Sequence, residues 1–534
     1  MASSGFVCGK IIDLHNRCMF SGIVEWSEGV ITSVRQDDSV SEEIYVMPGL
    51  IDAHVHVESS MLIPSEFARI AVTHGTVATV SDPHEIGNVC GIEGVRYMID
   101  DGARTPLKFA FGAPSCVPAT TFETAGAEIT ADDIRELFRD ERVRYLSEMM
   151  NWPGVLHRDP IVCDKIDVAR ACGRVIDGHA PGLRGEQAAA YACLGISTDH
   201  ECVMLDEALD KIAAGMKILI REGSAARNFN ALHPLLSMHP ESVMLCCDDI
   251  HPDDLVVGHI NSIVARAFEN GHNIYDVLRA ACVHPVEHYG LPVGLLRVGE
   301  PADFIVVDDL QRMNVVETWI DGARVACNGV ASWPHMNATA INNFNVNTIA
   351  AKDIAYSGSS NNIRAIVAHD GELITSQEIV SIDDPNLCKI VVVNRYHQAP
   401  PAVAFIKNLG LGSGAFASTV AHDSHNIVAA GVNDLDIADA VNALIRCRGG
   451  ICVSHNSNAR VLELEVAGLM SLQPATVVAE RYQFLDQCVK ELGSTLRAPF
   501  MTLSFMALPV IPSLKVTDRG LFDADRFEFV DVHL

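Results

Sequence analysis

Between Met47 and about Gly290, short apolar runs alternate with amphipathic stretches eight times over, and few architectures satisfy that rhythm. The runs are Gly49–Val57, Val77–Ser81, Lys108–Gly112, Tyr145–Met149, Arg174–His179, Gly195–His200, Lys217–Arg221 and Val243–Cys247. A strand that is apolar on both faces must be covered on both sides, as parallel strands flanked by helices are. Segments between the runs, such as Gly185–Cys193 and Leu205–Met216, carry a helical period. Eight strands alternating with helices predict an α/β fold of the closed (β/α)8 TIM-type barrel; a doubly wound open sheet gives the same alternation with fewer strands.

The flanks read differently. Residues 1–46 form short strand-like runs with turns, and Gly299–Asp308, Val315–Ile320 and Ala323–Cys327 read as strands again. We expect residues 1–46 and 295–330 to pair as one small β-sandwich-like domain around a barrel spanning 47–294. The Asn-rich stretch Asn328–Asn345, broken by Pro and Gly, reads as a linker to a C-terminal α+β domain over 346–534.

Charge narrows the partners. Sixty-eight acidic against 39 basic residues give a net charge of −29, which repels phosphate backbones and anionic lipid. Nucleic acid and membrane surfaces are therefore not expected as partners. The longest nearly apolar stretch, Met501–Leu514, is too short to span a bilayer and contains two prolines. The opening residues do not read as a secretory signal. Sixteen cysteines without a Cys-x-x-Cys pair suit a reduced, cytoplasmic protein.

In a barrel of this type the chemistry sits at the carboxyl ends of the strands. The first strand ends Asp52-Ala-His54-Val-His56, and a period of two puts both imidazoles on one face. The second ends Ser81-Asp82-Pro-His-Glu85, the fourth Ser147-Glu148-Met-Met-Asn151 and the fifth Asp177-Gly-His179. The sixth ends Thr198-Asp-His200-Glu201, the seventh Arg221-Glu222-Gly-Ser224 and the eighth Cys247-Asp248-Asp249. Each signal is weak alone, since a lone histidine is more often a hydrogen-bonded core residue. Their order around one rim points to a metal site, and imidazole with carboxylate suits Mn, Fe or Zn. Four histidines, a glutamate and an aspartate exceed the three protein ligands of a usual single catalytic zinc, so two cations fit better than one. Two cations sharing a carboxylate and a hydroxide are a standard hydrolytic arrangement.

These residues resemble the amidohydrolase superfamily. The segments Pro48–Met61, Ser81–Ile86, Glu148–Asn151, Asp177–Gly182, Ser197–Glu201, Arg221–Ala225, Asp248-Asp249 and Gly414–Asn426 are similar to the prokaryotic adenine deaminase family. The resemblance spans nearly the whole chain. It implies His54, His56, Glu148, His179, His200 and Asp248 as ligands of two divalent metal ions, Mn²⁺ being favoured over Fe²⁺ or Zn²⁺. Many superfamily members carry a carboxylated lysine on strand four, where this chain has Glu148, as the adenine deaminases do.

The implied reaction is hydrolytic deamination of adenine, a small-molecule purine, to hypoxanthine and ammonia in purine salvage. Glu148 would bridge the metals and Asp248 would shuttle the proton. Asp82 and Asp249 are further catalytic or purine-holding candidates, and Glu222 and Ser224 weaker ones. A turn before Pro83 explains Asp82 equally well, and a helix cap Asp249. His422, Asp423 and His425 could line the site, bind a further metal or satisfy a buried loop. Rival substrates are another 6- or 2-aminopurine (N6-methyladenine or isoguanine) or, with the same fold and metals, a cyclic amide; a non-catalytic scaffold on a decayed barrel is opposed by the complete ligand set. The His-x-Glu with Pro-Cys-x-x-Cys pattern of the zinc cytidine deaminases is absent. A homo-oligomer, dimer or tetramer, is expected of a barrel with an appended domain.

Overall fold

The computed structural model describes residues 4–224, 226–358 and 360–533. Residues 1–3 and 534, the ends of the flanking units expected from sequence, lie outside the described residues. Eight parallel strands make the barrel: β1 (Leu50–Val55), β2 (Thr76–Ser81), β3 (Lys108–Ala113), β4 (Val143–Met149), β5 (Val175–Gly178), β6 (Thr198–Asp199), β7 (Lys217–Arg221) and β8 (Val243–Cys246). β1 to β5 form one ladder and β6 to β8 another. Ile176 bridges Ile196 on one side, and Val55 bridges Asp248 on the other. At the second seam Asp248 N–H donates to the His54 carbonyl at 2.9 Å, and His56 N–H donates to the Asp248 carbonyl at 3.1 Å. These bonds close the ring and bring the ends of the first and eighth strands into register.

The apolar runs become strands because both faces are covered: every residue of β1, β2 and β8 is buried. The helix Ile260–Glu269 shows the complementary pattern. It buries Ile260, Ile263, Val264, Ala267 and Phe268, the i, i+3, i+4, i+7, i+8 stripe of a helix laid on a sheet. Gly49 precedes β1 because a Cβ there would meet Val77 Cγ1 at 2.2 Å. The expected sixth run, Gly195–His200, yields only Thr198–Asp199 as paired strand. Gly195 turns the chain at φ +91°, and the Asp199 carboxylate accepts from the backbone N–H groups of Ala180 and Glu201.

Strands from both flanks join in one sheet, ordered Val330–Ala331, Ala323–Cys327, Asn314–Ile320, Phe304–Asp309, Tyr45–Pro48, Gly5–Asp13, Cys18–Ser27 and Val30–Gln36. Phe304–Asp309 runs antiparallel to Tyr45–Pro48. Its core packs Trp26 against Phe304 and Trp319, with ring centroids 5.3 and 5.0 Å apart. The sheet sits at the amino-terminal end of the barrel: Lys108, the first residue of β3, donates to Asp303 at 2.7 Å.

Beyond the linker a second eight-stranded sheet forms, centred on Leu387–Val393, Ala402–Lys407, Ala415–Ser418 and Ile427–Gly431. Helix Asp434–Cys447 covers one face through Ile437, Val441 and Leu444. The other face shares one hydrophobic cluster with the barrel, in which Ile390 and Phe416 join Tyr482 and Phe500. The loop after Ala415–Ser418 is thereby carried to the carboxyl ends of the barrel strands. No helix among the described residues is long and apolar enough to cross a membrane.

Candidate metal centre

The six residues singled out at the strand ends meet at one mouth of the barrel, and all are buried or nearly so. β1 supplies His54 and His56, whose Nε2 atoms lie 3.2 Å apart. Asp248 Oδ1, delivered by the β1–β8 seam, lies 3.5 Å from His54 Nε2 and 3.2 Å from His56 Nε2. Glu148, the penultimate residue of β4, turns its two oxygens to different partners. Oε1 lies 3.3 Å from His56 Nε2, while Oε2 lies 2.7 Å from His179 Nδ1 and 3.2 Å from His200 Nε2. The His54 and His200 rings stack with centroids 4.2 Å apart. Thus one carboxylate stands between a His54–His56–Asp248 group and a His179–His200 group.

The electrostatics show what such packing demands. Burial alone would raise the Glu148 carboxyl; His179, His200 and His56 outweigh it and hold Glu148 well below the usual carboxylate range. Burial would lower His179, yet Glu201 and Glu148 raise it to about 9. His200 goes the other way, lowered by burial and by His54. Four imidazoles and two carboxylates are thus drawn together out of water with their nitrogen and oxygen donors facing one another. His54 Nδ1 and His84 Nδ1 are buried without a hydrogen-bond partner. Subsets such as His54, Glu148 and His200, or His54, His56 and Asp248, have donor atoms within 4.8 Å of one another. This donor set fits divalent metal ions that accept nitrogen and oxygen ligands.

Four neighbours that the strand-end reading did not assign a role complete the site. Arg221 ends β7, ion-pairs with Asp248 Oδ2, and grips Glu201 through contacts of 2.5 and 2.9 Å. Glu201 Oε1 stands 3.4 Å from His200 Nε2. His84 Nδ1 lies 3.4 Å from Asp82 Oδ1 and 3.6 Å from Glu148 Oε1. Glu85 hydrogen-bonds with both His422 and His425 of the C-terminal domain. The signal for all four was adjacency: each ends a strand or follows a residue already singled out there.

Asp82 belongs to the cluster, accepting from the Glu148 backbone N–H at 3.3 Å. Asp249 accepts from Ser59 Oγ at 2.5 Å, and burial, then Asp248, raises its carboxyl. Asp423 Oδ2 reaches to 3.9 Å from His84 Nε2. The structure does not bring Glu222 or Ser224 into the cluster. Glu222 pairs with Arg266, and Ser224 Oγ donates to Asp254 Oδ2 at 2.6 Å. Both follow a strand that ends at Arg221, so the chain has already turned toward the next helix.

A barrel whose strand ends hold such a cluster defines a metal-dependent hydrolase, and residues 45–325 match the amidohydrolase family. Residues 367–528 match the adenine deaminase C-terminal domain. The chain is 53% identical to an adenine deaminase of Salinibacter ruber, with 99% of each chain covered. It is 50% identical to one of Methanosarcina acetivorans over 98% of each, and 45% identical to one of Borreliella burgdorferi over 97% of this chain and 98% of that one. The chain belongs to the amidohydrolase family and, within it, to the adenine deaminases.

Proposed function

We propose that this chain hydrolyses adenine to hypoxanthine and ammonia, in purine salvage, at the cluster around Glu148. The observation that carries the reading is that the two Glu148 oxygens face separate histidine groups, an arrangement suited to a carboxylate bridge between two cations. His54, His56 and Asp248 would hold one ion, His179 and His200 the other, with Glu148 shared; Mn²⁺ is our favoured metal, ahead of Fe²⁺ and Zn²⁺. Two such ions, when bound, supply a water acidic enough to act as nucleophile near neutral pH.

The chain's own groups account for the rest. Adenine is a weak electrophile at C6, and its amine leaves well only as ammonia, so protons must reach the ring nitrogen and then the amine. Oxygen from water joins C6, the C6–N bond breaks, and the water's protons end on the product ring and on ammonia. Asp248 is the favoured carrier. Arg221 takes up its Oδ2, which leaves Oδ1 to accept a proton, and Arg221 with His54 and His56 keeps the carboxylate ionised against burial. Asp82, held against His84 and the Glu148 backbone, and Asp249, whose carboxyl is raised, stand as groups that hold the purine or relay the proton. Burial of the cluster keeps bulk water from competing.

We further place the protein in the cytoplasm, a reading supported by the free state of its sixteen cysteines, and expect the symmetric homo-oligomer common among barrels with an appended domain. The functional test is direct. Protein loaded with Mn²⁺ is given adenine, and the ultraviolet change and ammonia release are followed. Stoichiometric hypoxanthine and ammonia are expected. No turnover of adenine, with turnover of a cyclic amide, would replace this reading.

A further inference from the structure

After β3 the chain runs through residues 114–130 without helix or strand, and this loop is pinned to the C-terminal domain on both sides of Glu123. Thr517 Oγ1 donates to the Phe122 carbonyl at 3.1 Å, and Thr124 N–H donates to Asp518 Oδ1 at 2.9 Å. Asn426 Nδ2 donates to the Thr124 carbonyl at 2.9 Å, and the Phe122 and Phe522 rings pack with centroids 4.7 Å apart. Glu123 is therefore held in place by its neighbours in sequence. Its own side chain is 3% exposed, and neither carboxylate oxygen has a hydrogen-bond partner at ordinary geometry, Ser424 being the polar side chain that acts on it.

Glu123 is among the residues that line a cavity of about 1400 Å³. The same cavity is walled by Glu201 and Arg221, which contact His200 and Asp248 of the cluster. Glu123 stands apart from the ligands themselves: its charged neighbours are Asp423, Asp518 and Arg519. Asp423 in turn reaches His84, which stands beside Glu148. A buried carboxyl left without partners is costly, and a ligand that completes its hydrogen bonds explains its retention.

We propose that Glu123 is a substrate-binding residue that recognises the N3–N9 edge of the purine, the edge remote from the reacting amine. The inference rests on the deaminase reading, which requires C6 to face the cluster and so turns N3 and N9 away from it. An un-ionised carboxyl offers one donor and one acceptor, and that edge of adenine offers an acceptor at N3 and an N–H at N9. Burial, with Asp423 and Asp518 adding to it against Ser424 and Arg519, pushes the Glu123 carboxyl well above its ordinary value, toward the un-ionised form.

The test compares adenine with 3-deazaadenine, which lacks the N3 acceptor, in the Mn²⁺-loaded wild type, Glu123→Ala and Glu123→Gln. Glu123→Ala should lower kcat/KM on adenine by about 10- to 100-fold, mainly through KM, and change 3-deazaadenine turnover little. Glu123→Gln, whose amide keeps one donor and one acceptor, should stay within about threefold of wild type. It carries the test if the alanine variant fails to fold. Metal content should be the same in all three. Equal losses on both substrates, or none on either, would overturn the role of Glu123 while leaving adenine deamination standing. A wild-type enzyme inert toward adenine would instead sink the deaminase reading and this inference with it.

Discussion

Glu85, on the barrel, and His422, on the C-terminal domain, share a hydrogen bond between Oε1 and Nδ1, and the other Glu85 oxygen is taken by His425. One carboxylate thus fastens the C-terminal loop over the end of β2. Burial would lower His422, but Glu85 raises it to about 9, while His422 and His425 hold Glu85 well below its ordinary range against the opposing effect of burial. A histidine raised in the fold contributes stability that is complete below its unfolded pKa of about 6.5 and disappears as pH climbs through about 9. Glu85, lowered in the fold, loses its contribution as pH falls below the unfolded carboxylate range. Replacing Glu85 with Ala should cost about 3–5 kcal/mol near pH 7. It should also flatten the alkaline side of the stability profile, as read by denaturant unfolding between pH 6 and 10.

Arg221 links Asp248 to Glu201, one carboxylate beside each of the two histidine groups. Arg221→Met leaves both acids buried without their cation, and a loss of about 3–5 kcal/mol in unfolding free energy is expected. Mn²⁺ affinity should drop about 10- to 100-fold as Asp248, our proposed ligand, loses its orientation. Arg221→Lys should recover only part of either, because one ammonium cannot reproduce the planar fork that reaches both partners. Calorimetric unfolding and metal titration read the two effects separately.

Three histidines outside the centre contribute to the loss of stability in acid. Burial lowers His74, His251 and His288 to about 4 each, with His259, His422 and Lys217 respectively adding to the effect. Between about pH 6.5 and 4 the unfolded chain takes up protons at these positions and the folded chain does not, so stability falls as pH falls through that window. His288→Gln, which keeps a polar group near the Ser197 hydroxyl 3.2 Å away, should reduce the slope of unfolding free energy against pH there by about one proton. An unchanged slope would show that His288 is protonated in the fold.

Much of this site could be read from sequence because barrel geometry turns order along the chain into position around a rim. His54 and His56 follow from a period of two, and Glu148, His179, His200 and Asp248 from where each apolar run stops. Arg221 was readable as a strand end but not as a partner of Asp248, since that pairing depends on the β1–β8 seam. Glu222 and Ser224 misled for the related reason that position after a strand end does not say where the chain turns. Glu85 and Glu123 owe their surroundings to residues more than 300 positions away, His422 and Asp518 among them, and no local pattern carries such contacts. The C-terminal sheet was opaque likewise: Asn362–Val367 pairs in parallel with Ala402–Lys407, and Ala415–Ser418 antiparallel with Gly450–His455, across long intervening segments.

The account stands or falls on Glu148 joining two histidine groups around a pair of cations. Metal-stripped protein titrated calorimetrically with Mn²⁺, beside Glu148→Ala, tests that directly. We predict two ions per wild-type chain, with both affinities lowered at least about 100-fold in the variant and adenine turnover lost with them. A wild-type chain that binds no divalent ion, or a Glu148→Ala protein that binds two as tightly as before and remains active, would contradict it.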